Sequence, residues 1–70
     1  MMKVQIFNDS LFIAKSSLTD KENILLDKML PAFPVALVVH DTPYSYKIAG
    51  SKKNLFDVLS LLSDNFDVEL

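Results

Sequence analysis

Seventy residues make a single domain, 1–70, and half of them are hydrophobic against one glycine, so the chain is expected to fold rather than stay disordered. Nine acidic and seven basic residues give a net charge of −2, too mild for a polycation, a polyanion mimic or a charged tail. The absence of cysteine excludes disulfides, thiolate metal sites and cysteine nucleophiles.

The first pattern is a hairpin. Lys3 to Phe7 alternates, Asn8-Asp9 is a turn pair, and Ser10 to Lys15 follows. A two-residue loop pairs Phe7 with Ser10, Ile6 with Leu11, Gln5 with Phe12 and Val4 with Ile13. Val4, Ile6, Leu11 and Ile13 then share one face, while Lys3, Gln5 and Ala14 share the other.

Ser16-Ser17 breaks this pattern, and Thr19-Asp20-Lys21-Glu22 has the form of a capping box. A helix from about Asp20 to Leu30 is expected, with Leu25, Leu26, Met29 and Leu30 as its apolar stripe and Pro31 closing it.

The second half repeats the plan. Val35 to Val39 is β-prone, His40-Asp41-Thr42-Pro43 is a turn cluster, and Tyr44 to Ala49 alternates. Pairing Val39 with Tyr44 places Val35, Leu37, Val39, Tyr44, Tyr46 and Ile48 on one face. Gly50-Ser51 introduces a helix through about Asp64, with Leu55, Val58, Leu59, Leu62 and Phe66 as its stripe. The alternating tail from Phe66 to Leu70 suits a short edge strand.

The expected fold is α+β: a small antiparallel sheet with two helices on one face, in the order ββαββα with or without a short C-terminal strand. The competing parse makes Asp9 to Leu30 one helical region and gives the ferredoxin-like order βαββαβ. Ser16-Ser17 and the capping box would be wasted in the middle of that helix, which favours the hairpin. No apolar stretch is long enough for a signal-peptide core or a membrane span, and a cytoplasmic protein with no membrane role is expected.

Little in the sequence points to catalysis. His40 is the only histidine, and neither a cysteine nor a second histidine completes a metal site or a nucleophile pair with it. It reads as a polar turn residue, with Asp41 opening an Asx turn before Pro43. The serines form no G-x-S-x-G elbow. No enzyme activity, cofactor or metal is expected.

Two binding features stand out. Gly50-Ser51-Lys52-Lys53, with Lys47 upstream, is the one local cluster of positive charge, set where a helix N-terminus favours an anion. It lacks the spacing of a phosphate-binding P-loop. Phe7, Phe12, Ala14, Ala36 and Val38 fall on the sheet face away from the helices, where an exposed apolar patch marks an interface.

All seven cations are lysine, which disfavours phosphate or guanine recognition and makes nucleic acid an unfavoured partner. The same usage is what an AT-rich genome produces. The expectation is a non-enzymatic protein-binding module, a small phage or mobile-element inhibitor or regulator of a host protein. Its interface would centre on Phe7, Phe12, Ala14 and Val38. Its partners would be another protein and, because so small a core gives little stability alone, a second copy in a homodimer. The alternative is a nucleic-acid or phosphate-ligand module using Lys47, Gly50, Ser51, Lys52 and Lys53.

Overall fold

In the computed structural model, which describes residues 1–70, the chain reverses at Asn8. Its φ of 56° lies in the left-handed region that asparagine tolerates. The Asn8-Asp9 loop joins strand β1 (Met2–Phe7) to β2 (Ser10–Ala14). Phe7 pairs with Ser10, Ile6 with Leu11, Gln5 with Phe12 and Val4 with Ile13, the register that turn length and alternation predict.

The serine break has a structural role. In a 3₁₀ turn over Lys15–Ser17, the Ser17 hydroxyl donates to the Ala14 carbonyl at 2.6 Å and accepts the Lys3 N–H at 3.0 Å. It thereby satisfies the strand amide left over where the β1–β2 ladder ends.

Helix α1 (Asp20–Met29) starts on the expected capping box. The Glu22 N–H donates to Thr19 Oγ1 at 3.2 Å, and the Thr19 N–H donates to Glu22 Oε1 at 2.9 Å. That backbone N–H holds the Glu22 carboxyl below its ordinary range. A 3₁₀ turn at Leu30–Ala32, containing Pro31, ends the helix. Since Ser10–Ala14 is a strand and α1 begins at Asp20, the ferredoxin-like parse is not adopted. Leu26 is buried and Met29 and Leu30 half-buried, but Leu25 faces out, so the buried stripe is narrower than expected.

The second hairpin differs from expectation. Strand β3 is Val38–Asp41 and β4 is Ser45–Ala49, with Val39 opposite Ile48 rather than Tyr44. His40 and Asp41 are strand residues; the turn belongs to Thr42. Its hydroxyl accepts the Ser45 N–H at 3.0 Å and the Tyr44 N–H at 3.3 Å. Thr42, not Asp41, supplies the turn's side-chain cap, and Asp41 instead pairs with Lys15. Val35 is fully exposed at 104% and lies outside any strand; Tyr44 is also exposed, so both leave the expected core face.

Helix α2 (Lys52–Asn65) buries Leu55, Val58 and Leu62. The tail returns as β5 (Val68–Glu69), parallel to β1, with Met2 opposite Val68 and Lys3 opposite Glu69. The protein is thus a small α+β domain whose five-stranded sheet, in the order β3-β4-β2-β1-β5, is mixed rather than antiparallel throughout.

The two helical connections interlock. Strands β2 and β3 are both antiparallel to β4, so the β2–α1–β3 connection passes over β4. Strand β4 runs parallel to β1 and β5, so β4–α2–β5 passes over β2 and β1. Leu26, Leu55, Val58 and Leu62 of the helices join Met2, Val4, Leu11, Ile13, Tyr46 and Ile48 in a single core on one side of the sheet. No helix is long and apolar enough to cross a membrane.

Tyr46 ties α1 to this core. Its ring is buried, while its hydroxyl donates to the Asp27 carboxylate and lies 2.7 Å from the Asn23 side-chain oxygen. Lys15 sits with its Nζ 4.4 Å from the centre of the ring and pairs with Asp41 across the sheet margin. Burial pushes the Tyr46 phenol well above the ordinary tyrosine value, and the bond to Asp27 and its charge add to the shift. A group with a raised folded pKa contributes its stability below the unfolded value, about 10, and loses it as pH rises through and above that value. Tyr46→Phe is therefore expected to cost about 1 kcal/mol at neutral pH. It should also flatten the loss of thermal stability between about pH 9 and 11. Parallel melting profiles for the two proteins across that range would refute the assignment.

Candidate functional site: the uncovered sheet face and the margin of β1

Because both helices lie on one side, the alternate strand positions form an uncovered outer face. The row nearest the first turn reads Val38, Ala49, Ser10, Phe7, and the next reads His40, Lys47, Phe12, Gln5. Phe7 and Val38 are exposed, and Phe12 and Ala14 are half-buried. All four are where the alternation puts them, on the side away from the core.

They do not form one patch. A concavity of about 620 Å³ is lined by Val4, Gln5, Ile6, Phe7, Phe12 and Leu70. A second, of about 350 Å³, lies on the other side of Phe12 among Lys3, Gln5, Ala14, Tyr44 and Ser45. Phe12 is the ridge between the two. Val38 stands apart at the far edge, three strand spacings or roughly 14 Å from Phe7. Ala36 is exposed in the segment before β3 and belongs to no strand. The aromatic interface candidates and Ala14 are gathered around Phe12; Val38 and Ala36 are not.

The lysine cluster is dispersed as well. Lys47 points to the outer face, its Nζ 5.8 Å from the centre of the Phe12 ring, whereas Lys52 and Lys53 open α2 on the inner side. The Ser51 hydroxyl already accepts the Asn54 N–H at 3.3 Å, taking up one of the amides an anion would need. A Cβ at Gly50 would lie 2.3 Å from Leu37 Cδ2, so the Leu37 side chain would have to shift to admit one, and the Gly50 N–H donates to the Asp9 carbonyl at 3.1 Å. Lys52 meets Ile6, Asn8, Leu55 and Phe56 around a concavity of about 200 Å³.

His40 and Asp41 are not a pair. Adjacent strand residues face opposite sides, so His40 lies on the outer face opposite Lys47 while Asp41 bonds Lys15. No group of three or more histidine, aspartate or glutamate side chains is placed to hold a metal ion.

Sequence reasoning missed Ile6, Phe56 and Leu70. Ile6 has core parity, yet it is 43% exposed because β5 stops at Glu69 and leaves the rest of β1 uncovered. Phe56 and Leu70 are exposed beside it, one on each of the two concavities that meet at Ile6. A phenylalanine outside the Leu55–Val58–Leu62 stripe was the available signal for Phe56. No family model, curated protein or solved structure matches this chain.

With Ser51 acting as a cap, Ser51→Ala is expected to lower global stability by about 1 kcal/mol, read as a shift in the urea midpoint. An unchanged midpoint would leave the hydroxyl free and reopen the helix start to a ligand.

Proposed function

We propose that this chain is a non-enzymatic protein-binding module, which acts by covering part of another protein's surface with the outer face of its sheet. The observation that carries this reading is the uncovered face itself. Both helices occupy one side, and where the other side meets the margin of β1, Phe7 and Phe12 line a concavity together with Val4, Ile6 and Leu70. Apolar surface gathered in this way is a liability in water and is the usual mark of a protein interface. The polar positions around it, Gln5, Lys3, Ser45 and Lys47, supply the rim that such interfaces carry.

The all-lysine cation set supports a phage or mobile-element source, in which occupation of a host protein's surface would inhibit or regulate it. A second copy of the chain is the competing occupant of the same face. The lysines of the phosphate-ligand alternative divide between two sides of the molecule, which leaves that reading without one binding surface.

A charge at an interface centre is buried and unpaired on binding, at a cost of several kcal/mol. Phe12→Glu is expected to abolish partner capture while the folded monomer persists, since Phe12 is only half-buried in the free chain. Val38→Glu, at the remote edge, should reduce capture less. Affinity capture with mass spectrometry, circular dichroism and sedimentation together make the test. A folded Phe12→Glu variant with wild-type capture and wild-type association state would place the interface elsewhere.

A further inference from the structure

We propose that the open margin of β1, from Val4 to Phe7, takes up an extended segment of the partner protein as an added strand, with an acidic side chain of that segment set against Lys52. This rests on the protein-binding reading and names the partner's local chemistry. Backbone geometry supplies the first argument. Met2 donates its N–H to the Asp67 carbonyl at 2.8 Å, on the β5 side of β1, whereas Lys3 donates to Ser17 on the other. Strand alternation then turns the Val4 and Ile6 backbone groups to the β5 side. Strand β5 pairs only with Met2 and Lys3, so the N–H and carbonyl of Ile6 face an empty margin. Main-chain groups of this kind are what an added strand satisfies.

Side chains supply the second. Ile6, Phe7, Phe56 and Leu70 are exposed around this margin, and the concavities of about 620 and 200 Å³ meet at Ile6, one on each side of the strand. An added strand sends alternate side chains to opposite faces and so would fill both. The other edge of the sheet is different. Strand β3 carries His40 and Asp41, the latter paired with Lys15, and charge of that kind discourages strand addition. Gln5, Ile6 and Phe7 carry none.

Charge supplies the third argument and selects the occupant. Lys52 lines the smaller concavity beside Ile6 and Asn8, Lys53 follows it, and the first turn of α2 has no acid. Lys15–Asp41 is the molecule's one ion pair, so Lys52 is unpaired. Two cations against a helix N-terminus are unfavourable until an acid arrives. A second copy fits less well, because its own matching margin is closed by β5 at one end and by the Asn8-Asp9 turn at the other.

The test uses the intact chain and a library of short random peptides, with enriched sequences synthesised and titrated by NMR. The inference expects alternating apolar, β-prone residues next to an Asp or Glu. It expects the Ile6 amide to exchange at least about tenfold more slowly in the complex. Lys52→Glu, which suits the helix dipole and should fold, is expected to weaken the acidic peptides roughly fivefold. Enriched peptides without an acid, or binding unaffected by Lys52→Glu, would overturn the acidic occupant. Peptides that shift Phe12, Ala14 and Tyr44 but leave Ile6 exchange unchanged would overturn the margin site and keep the outer-face reading. Self-association that protects Ile6 would replace the partner by a second copy. No binder at all, from a chain that sediments as a monomer, would overturn both proposals.

Discussion

The register of the first hairpin is the constraint from which the other surfaces take their phase. Asn8 accepts a positive φ, the loop closes in two residues, and Leu11 and Ile13 are thereby turned to the same side as Val4. Strand β2 then pairs on its other edge with β4, and β4 with β3. A slip of one residue at Asn8-Asp9 would reverse the sides of Leu11 and Ile13, and Tyr46 and Ile48 would lose their match across the sheet. The apolar core and the outer face with Phe7 and Phe12 are two consequences of one small turn.

On this frame, polar side chains fasten the places where regular pairing ends. Ser17 takes the Lys3 amide, Thr42 closes the β3–β4 turn, and Thr19 and Ser51 cap the helices. Tyr46 differs in kind, since its ring belongs to the core while its hydroxyl reaches Asp27 and Asn23 on α1. No buried side-chain nitrogen or oxygen is left without a partner. A short chain with no disulfide gains definition from such single bonds, because each removes an alternative placement of a helix or strand.

The elements themselves were legible because their local signals agreed. The first hairpin combined a short turn with strict alternation, and the helices carried a capping box and a Leu-rich stripe. The second hairpin differs by four residues from the register its sequence suggests, with Val39 opposite Ile48 rather than Tyr44. Its first strand is drawn from the uniformly apolar run Val35–Val39, which has no alternation to fix an end. The offset is even, so Val39, Tyr46 and Ile48 keep their common side, while Val35, Ala36 and Tyr44 fall outside the strands. The parallel pairing of β5 carried no sequence signal, because two residues cannot show a direction. The lysine cluster misled for a related reason: Lys47 and Lys52 are close along the chain, yet strand alternation and the turn at Gly50 set them on different sides. The exposure of Ile6 follows from where β5 stops, which is a fact of pairing rather than of pattern.

That pairing also bears on the order in which the molecule assembles. The β1–β2 hairpin joins neighbours in the chain and can close on the microsecond scale. Met2, by contrast, meets Val68, near the opposite end of the 70-residue chain, and it does so only after α2 has passed over β1 and β2. During synthesis the first strand therefore waits for the last. Until residue 68 is in place Met2 lacks its β5 pairing, although its side chain ends fully buried. Such distant closure slows folding relative to a helical bundle of equal length, and it makes completion of the sheet a late event.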